Sequence, residues 1–299
     1  MKTLIVITGP TACGKTAVSV SLAKKLQSDI VSCDSRQFYK EMAIGTAKPT
    51  PQEMNGVIHH FVDSHSVLDD INAGKFERLA LPVIQTLFEK HDFVILTGGS
   101  GLFIDAITQG FDDMPIIPTE IREELRNQFK EDGLAILTEK LQQLDPEYAH
   151  KVDLDNPQRV IRALEICLSS NKTYTELRQG QQDKRPFKIL KFVLDRPREE
   201  LYDRINKRVD LMMQKGLEKE VQDLMEYQHL NSLNTVGYKE LFDYFKGVHT
   251  KETAIALIKR NSRRYAKRQL TWFRRDPSYR WVSATNPESI YEVLKEANS

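Results

Sequence analysis

The chain has 299 residues, of which 40% are hydrophobic and 28% charged, a composition typical of a soluble globular protein with one substantial core. Its 43 Lys and Arg residues nearly balance its 42 Asp and Glu residues. This balance argues against a strongly positive overall field of the kind that attracts nucleic acids.

No apolar run approaches the length of about eighteen residues that a membrane-spanning helix needs, and the first residues lack a signal peptide with a cleavage site. We therefore expect a cytoplasmic protein with no membrane partner. The three cysteines, Cys13, Cys33 and Cys167, fit neither a redox pair nor a metal-ligand spacing. Free thiols are expected.

The first predicted element is a strand at residues 4–8 (LIVIT) that ends at a glycine-rich loop, after which a helical pattern covers residues 15–26. The loop reads GPTACGKT and fits the phosphate-loop (P-loop) pattern G-x-x-x-x-G-K-[ST]. In such a loop the backbone N–H groups and the helix N-terminus converge on an anion, a Lys adds a positive charge, and a Ser or Thr hydroxyl can ligate Mg²⁺. We therefore predict a phosphate-bearing ligand at Gly9, Pro10, Thr11, Ala12, Cys13, Gly14, Lys15 and Thr16, with Thr16 as the metal ligand.

Further strands are predicted at residues 29–33 (DIVSC) and 93–99 (FVILTGG). An ordinary P-loop NTPase has a strand that ends in an acidic residue, which organises Mg²⁺ and the attacking water. Here the third strand runs into Thr97, Gly98, Gly99 and Ser100, so we do not expect motor-like ATP hydrolysis.

Strands and helical patterns alternate, which predicts an α/β fold: a P-loop-containing open parallel sheet with flanking helices. After residue 119 the patterns are only helical until a strand returns at residues 187–195 (FKILKFVLD). We therefore predict a small all-helical insertion domain at residues 114–185 within a P-loop catalytic core of residues 1–113 and 186–299. In the second half of the core, Pro197 opens a long predicted helix that continues to about residue 227, and YRWV predicts a last strand.

Asp34 directly follows the second predicted strand. In open α/β sheets ligands bind outside the carboxyl ends of the strands, which places this carboxylate beside the P-loop. An Asp-Ser pair at such a position also commonly caps the next helix. The position alone leaves both a chemical role and a capping role open.

Two groups of basic residues have two interpretations each. Arg204 and Arg208 lie four residues apart and so share one helix face, which would suit a diphosphate or ion pairs with Glu200 and Asp203. Residues 259–275 contain eight Lys or Arg residues, no acid and three aromatic residues, Tyr265 among them. This segment fits a helix that binds a polyanion or one that simply exposes its charges to solvent.

Seven stretches of the chain resemble the tRNA dimethylallyltransferase (tRNA isopentenyltransferase) family, bacterial type. They are GPTACGKT, SCDSRQFYKEMAIGTAKP, HHFVD, LTGGSGLFIDAI, DNPQRVIRALEI, VGYKE and AKRQLTWFRR, in the order of the family. The resemblance implies transfer of a dimethylallyl group from dimethylallyl diphosphate to N6 of the adenosine that follows the anticodon in tRNA. Three other functions remain as alternatives: an adenylate isopentenyltransferase, a P-loop nucleoside or nucleotide kinase, and a non-catalytic RNA-binding protein.

The resemblance also implies roles for individual residues. Asp34 would act as the general base, and Thr11 would lie near the leaving oxygen. Lys15, Arg208 and a Mg²⁺ ion on Thr16 would stabilise the diphosphate, which would occupy the P-loop instead of ATP.

The resemblance further implies contacts with the anticodon stem-loop of tRNA. The residues at the matching positions are Asp34, Ser35, Arg36, Gln37, Ser100, Arg122, Gln158, Arg159, Val160, Ile161, Arg162, Gly237, Tyr238, Lys239, Lys267, Arg268, Gln269, Thr271 and Trp272.

No additional apolar stripe is evident, so we expect a monomer.

Overall fold

The computed structural model describes residues 2–112, 114–178 and 184–298. The chain divides into two compact units. The core unit consists of Met1–Thr108 and Arg185–Ser299, and the helical unit of Gln109–Lys184. Among the helices of the described residues, none combines the length and apolar composition that crossing a bilayer requires.

The core unit is built on a six-stranded sheet in which every described strand pairing is parallel, as predicted. The strands are β1 (Thr3–Thr8), β2 (Ile30–Ser32), β3 (His59–His60), β4 (Phe93–Gly98), β5 (Lys188–Asp195) and β6 (Tyr279–Ser283), in the spatial order β3-β2-β4-β1-β5-β6. The last residue of β1, Thr8, pairs with Gly98 on one side and Val193 on the other. The loops after these strands therefore meet at one edge of the sheet.

Helices cover both faces of this sheet. In chain order, the first helices of the core are α1 (Lys15–Leu26), α2 (Pro51–Met54), α3 (Ala73–Lys90) and α4 (Gly101–Thr108). The helical unit contains α5 (Thr119–Asp132), α6 (Leu134–Leu144), α7 (Pro146–Lys151), α8 (Pro157–Ser170) and α9 (Tyr174–Leu177). The core then continues with α10 (Arg198–Gln214), α11 (Leu217–Asp223), α12 (Tyr238–Phe245), α13 (Lys251–Phe273) and α14 (Glu288–Asn298).

Strand β1 is buried on both faces, which explains its continuous apolar sequence. Successive side chains of a strand point to opposite sides of the sheet. Leu4 and Val6 accordingly belong to one hydrophobic cluster of the core, and Ile5 and Ile7 to another. The helical unit has its own hydrophobic cluster, built around Leu137, Leu141, Val160 and Leu164.

The structure differs from the predicted elements in two places: one predicted helix is shorter, and one strand was not predicted. The predicted long helix ends at Gln214, because Gly216 adopts a left-handed conformation with φ 98°, and α11 starts after it. A short 3₁₀ turn at Met225–Tyr227 follows α11. Strand β3 was not predicted, because two residues are too short to show a periodic pattern.

Candidate active site

The P-loop leaves β1 at Gly9, whose φ of 149° favours glycine. A Cβ atom at this position would lie 2.6 Å from the carbonyl oxygen of Leu194 in the neighbouring strand β5. Ala12 and Gly14 also have positive φ values, 65° and 110°. These turns wrap the loop tightly before α1 begins at Lys15. The loop therefore has the backbone shape that an anion cradle requires.

The side chain of Lys15 folds back over the loop, where its Nζ donates to the carbonyl oxygens of Gly9 at 3.0 Å and Pro10 at 2.9 Å. An ammonium group has three N–H donors, so one donor is left for an anion bound above the loop. The position of the charge agrees with the role that the P-loop pattern assigns to its lysine.

Arg204 and Arg208 reach the P-loop from α10. Arg204 Nε donates to Ala12 O at 2.8 Å, and Arg208 Nη1 donates to Thr11 Oγ1 at 3.2 Å. The alternative in which both pair with acids on their own helix is wrong, because Glu200 pairs with Arg196 and Asp203 with Lys207.

Burial lowers the pKa of Arg208, and the positive charge of Arg204 lowers it further, whereas Cys13 and Asp34 act in the opposite direction. A desolvated guanidinium group gains strongly from a nearby anion. The two arginines and Lys15 therefore surround the P-loop with positive charge, which suits a diphosphate.

Asp34 lies beside this positive cluster. Its Oδ1 accepts the N–H of Arg36 at 3.0 Å, so the carboxylate stabilises a turn, not a helix N-terminus. Burial raises the pKa of the adjacent Cys33 thiol, the negative charge of Asp34 raises it further, and the positive charge of Lys15 opposes the increase. Both residues also lie against the end of β4: a Cβ atom at Gly98 would lie 2.9 Å from the backbone N of Asp34, and one at Gly99 would lie 3.6 Å from Lys15 Nζ.

Ser35, Ser100 and Tyr265 form a hydroxyl cluster next to Asp34. Ser100 Oγ accepts the N–H of Ser35 at 3.1 Å and donates to Ser35 Oγ at 3.1 Å. Burial and the charge of Asp34 raise the pKa of Tyr265 to about 12, while a hydrogen bond with Ser100 lowers it. Sequence reasoning noted Tyr265 only as an aromatic residue in the basic segment, because no pattern shows which helix face meets Asp34.

Gln269 connects the P-loop to the turn after β4. Its Oε1 accepts the N–H of Thr11 at 2.8 Å, and its Nε2 donates to Gly99 O at 2.8 Å. The side chain is buried, and a Cβ at Gly99 would lie 2.3 Å from its Nε2. The amide of Gln269 is thus enclosed by the protein, and the RNA contact at this position stays a prediction.

Arg36 and Gln37 tie the turn after Asp34 to other loops. Arg36 Nη1 donates to the carbonyl oxygens of Asn231 at 2.9 Å and Ser232 at 3.0 Å. Gln37 Nε2 donates to Thr46 O at 3.1 Å. Both side chains thus help to fix the position of Asp34.

Glu220 and Tyr238 hold the loop at residues 43–45 in a contact that we call the Glu220 clamp. The carboxylate of Glu220 accepts N–H groups from that loop at 2.9, 2.7 and 2.9 Å, given in order by Ala43, Ile44 and Gly45. The Tyr238 hydroxyl donates to the same carboxylate at 2.6 Å. The Tyr238 side chain is fully buried, and the RNA contact at this position stays a prediction. Nothing in the sequence pattern singled out Glu220, one acid among several on a predicted helix.

The VGYKE stretch therefore has a structural use. Gly237 has a φ of 99°, and its N–H donates to Glu240 Oε2 at 2.8 Å, which fixes the start of α12. Lys239 follows on the surface as an exposed cation.

The remaining residues of the basic segment divide into two groups. Trp272 Nε1 donates to Asp105 Oδ2 at 3.0 Å, and burial raises the pKa of that carboxyl group. Lys267, Arg268 and Thr271 are exposed on α13, in position to meet a polyanion.

The helical unit presents a second predicted RNA surface on α8. Gln158, Arg159 and Arg162 are exposed, and Ile161 is half-buried. The side chain of Val160 is fully buried in the cluster of this unit, and the RNA contact at this position stays a prediction.

Glu165 orients two arginines of the helical unit. Its carboxylate pairs with Arg122 at 3.4 Å and with Arg162 at 3.2 Å. The two guanidinium groups are therefore held together on this unit.

No group of three or more His, Cys, Asp or Glu residues able to hold a metal ion occurs in the described part of the chain. Mg²⁺ is commonly bound through one or two protein oxygens together with phosphate oxygens and water. Thr16, in the first turn of α1 behind the P-loop, offers one such oxygen. This single oxygen fits a Mg²⁺ ion whose other ligands are phosphate oxygens and water.

The parallel sheet, the P-loop and the carboxylate beside it define a P-loop protein of the transferase type. A family model described as IPP transferase matches residues 37–276, and the chain belongs to this family.

Similar proteins cover nearly the whole chain. The tRNA dimethylallyltransferase 1 of Bacteroides thetaiotaomicron is 49% identical over 298 residues, which are 100% of this chain and 97% of that protein. The tRNA dimethylallyltransferase of Cytophaga hutchinsonii is 48% identical over 98% of this chain and 95% of its own length.

Two solved structures are similar as well. The full-length tRNA isopentenylpyrophosphate transferase of Bacillus halodurans has a TM-score of 0.74 at 37% identity, covering 99% of this chain and 96% of its own. A eukaryotic dimethylallyltransferase acting on tRNA has a TM-score of 0.81 at 25% identity, covering 95% of this chain and 74% of its own.

Proposed function

We propose that this protein transfers a dimethylallyl group from dimethylallyl diphosphate to N6 of the adenosine that follows the anticodon in tRNA. The observation that carries the proposal is that Asp34 and Lys15 both lie against the end of β4 while Arg208 hydrogen-bonds the P-loop at Thr11, which supports a proton acceptor beside an anion cradle. The names of the similar proteins support the same activity.

The P-loop side of the crevice would bind the diphosphate. The N–H groups of the loop, Lys15 and Arg208 would stabilise the negative charge that develops on the leaving diphosphate. Thr11, whose hydroxyl already accepts a hydrogen bond from Arg208, would lie near the leaving oxygen. A Mg²⁺ ion held by Thr16 and the diphosphate oxygens would neutralise part of this charge when bound.

The acceptor side would activate the adenosine. Its exocyclic amine is a poor nucleophile because the lone pair is delocalised into the ring. As N6 forms the bond to the allylic carbon, the carbon–oxygen bond breaks, its electron pair leaves with the diphosphate, and Asp34 takes the N6 proton. No water molecule has to be activated, which agrees with the glycine-rich end of β4.

The tRNA would present the adenosine from an unstacked loop, which costs less than extrusion from a duplex. Ser35 and Ser100 beside Asp34 would contact the base, and Lys267 and Arg268 would contact the backbone. We further propose that Arg122, Arg159 and Arg162 of the helical unit bind tRNA. A monomer working in the cytoplasm is sufficient for this scheme.

The decisive experiment incubates the protein with dimethylallyl diphosphate, Mg²⁺ and unmodified tRNA, and measures diphosphate release and the mass of the modified adenosine. We expect a gain of one dimethylallyl group. An Asp34→Asn variant should bind tRNA with little loss while its turnover falls by about 10² or more. Asp92→Asn, an exposed carboxylate paired with Lys2, serves as the control.

AMP as the acceptor separates this activity from that of an adenylate isopentenyltransferase. Consumption of ATP without prenylated adenosine would contradict the proposal and favour a kinase.

A further inference from the structure

A cavity of ≈ 730 Å³ lies in the core unit outside the crevice described above. It is located at the carboxyl ends of β5 and β6, between α10 and α13. Pockets of roughly 300–1,000 Å³ are typical of small-molecule sites, and the carboxyl ends of parallel strands are where α/β proteins bind ligands. Of the residues that line it, the proposed prenyl transfer uses only Lys267 and gives the others no role.

Four cations line the cavity, and the carboxylate of Asp195 lines it as well. Arg196 pairs with Glu200, which leaves Arg198, Lys267 and Arg274. None of the three forms an ion pair with a carboxylate within residues 2–112, 114–178 and 184–298. The guanidinium group of Arg198 stacks on Tyr202 at 5.2 Å, and that of Arg274 stacks on Trp281 at 5.5 Å. Stacking leaves the in-plane N–H donors of an arginine available, and these donors match the geometry of a phosphate.

Trp281 supplies an aromatic surface in the same cavity. It lies on the edge strand β6, and 39% of its surface is exposed. Large aromatic residues are usually much more buried, and an exposed one in a concave, basic setting points to a ligand with a planar ring. Phosphate-binding cations and a ring surface together describe the chemistry of a nucleotide.

We propose that this cavity binds a nucleotide, with its base against Trp281 and its phosphate on Arg198, Lys267 and Arg274. An unstacked nucleotide of the bound tRNA is the favoured source, because Lys267 also belongs to the exposed basic surface of α13. This choice of source rests on the proposed function. A free nucleotide has the same chemistry and is the other source.

The test measures the affinity of two probes, AMP and an unmodified anticodon stem-loop RNA, by calorimetry and by fluorescence anisotropy. Trp281→Ala should weaken binding about five-fold or more, whereas Trp281→Phe keeps a ring and should restore most of the affinity. Arg274→Gln should weaken binding and reduce its salt dependence by about one counterion. Arg280→Gln, an exposed arginine on the same strand that does not line the cavity, is the matched control.

The two probes distinguish the sources. Loss of stem-loop affinity alone identifies a tRNA nucleotide, and loss of AMP affinity alone identifies a free nucleotide. If Trp281→Ala and Arg274→Gln both bind the two probes as tightly as the wild type does, the proposal is overturned. Arg274 is exposed, so its variant decides the matter even where Trp281→Ala folds poorly.

Prenylation of full-length tRNA is assayed with the same wild-type preparation. If the tRNA is not prenylated, the proposed function is contradicted, whereas the measured binding of nucleotide in the cavity is unaffected.

Discussion

The hydroxyl of Tyr238 donates to Glu220 Oε1 at 2.6 Å, and the same carboxylate holds three consecutive N–H groups of the loop at residues 43–45. The next two residues, Thr46 and Ala47, accept hydrogen bonds from the side-chain amide of Gln37, three residues after Asp34. The Glu220 clamp therefore supports the turn that carries the proposed base.

Weakening the clamp should destabilise the protein. Glu220→Gln replaces a charged acceptor by a neutral one, and hydrogen bonds to charged groups contribute about 1.5–3 kcal/mol each. We expect a loss of stability of at least about 1.5 kcal/mol in urea unfolding, and about 1 kcal/mol for Tyr238→Phe. Glu218→Gln, two residues away on α11 and paired with Lys251, is the control. Equal stability of Glu220→Gln and Glu218→Gln would contradict this account.

Arg208 should matter for turnover more than its neighbours on α10. Removal of one preorganised donor to a developing negative charge typically costs about 10²–10³ in rate. We expect a loss of this size for Arg208→Gln in single-turnover prenylation at saturating substrates. Lys207→Gln changes an exposed charge next to it on the same helix and should retain the wild-type rate. Equal rates of the two variants would show that Arg208 does not act on the leaving group.

Gln269 should be required for the binding of the donor. Gln269→Ala leaves the N–H of Thr11 and the carbonyl group of Gly99 without their partner, at a cost of about 1–3 kcal/mol for each buried group. We expect lower stability and a higher KM for dimethylallyl diphosphate. Arg264→Ala, at an exposed position of α13, should change neither quantity appreciably. An unaltered KM in Gln269→Ala would mean that the link does not shape the P-loop.

Tyr265 predicts a specific alkaline sensitivity. Although 36% of the residue surface is exposed, desolvation of the side chain first, and the charge of Asp34 second, raise its pKa to about 12, compared with about 10 in an unfolded chain. Because its pKa is higher in the folded state, the protonated Tyr265 hydroxyl contributes to the free energy of unfolding. This contribution is complete below a pH of about 10 and is lost as the pH rises through about 12.

The prediction is tested by comparing the wild type with Tyr265→Phe, which cannot titrate at this position. The wild type should lose stability relative to the variant as the pH rises through this interval, measured by urea unfolding. A difference that does not depend on pH would show that the hydroxyl is not buried beside Asp34.

The elements that were predicted best from the sequence are those whose residue pattern is typical of a single structure. β1 and β4 are buried on both faces and so form continuous apolar runs, and the P-loop has a fixed pattern of glycines. The spacing of Arg204 and Arg208 showed that they share a face but not which element that face meets. Their contacts with the P-loop arise from packing between distant segments, which no local pattern records.

The same limit explains the other differences. Glu220 binds a loop about 175 residues away in sequence, and Tyr238 fits a family motif although its side chain is buried. A motif reports that a position is constrained and does not report whether RNA or the protein interior imposes the constraint. Gly216 interrupts a helical periodicity that continues on both sides of it.

Gly45, Gly99 and Gly101 lie so close to other side chains that there is no room for a Cβ atom. A Cβ atom would lie 2.5 Å from the ring of Tyr238 at Gly45, 2.3 Å from Gln269 at Gly99 and 2.3 Å from the ring of Trp272 at Gly101. None of the three has a positive φ, so alanine would suit the backbone and still collide with a side chain. A saturation-mutagenesis map should therefore show these positions as intolerant even to alanine, each relieved only by a second change that shortens the opposing side chain.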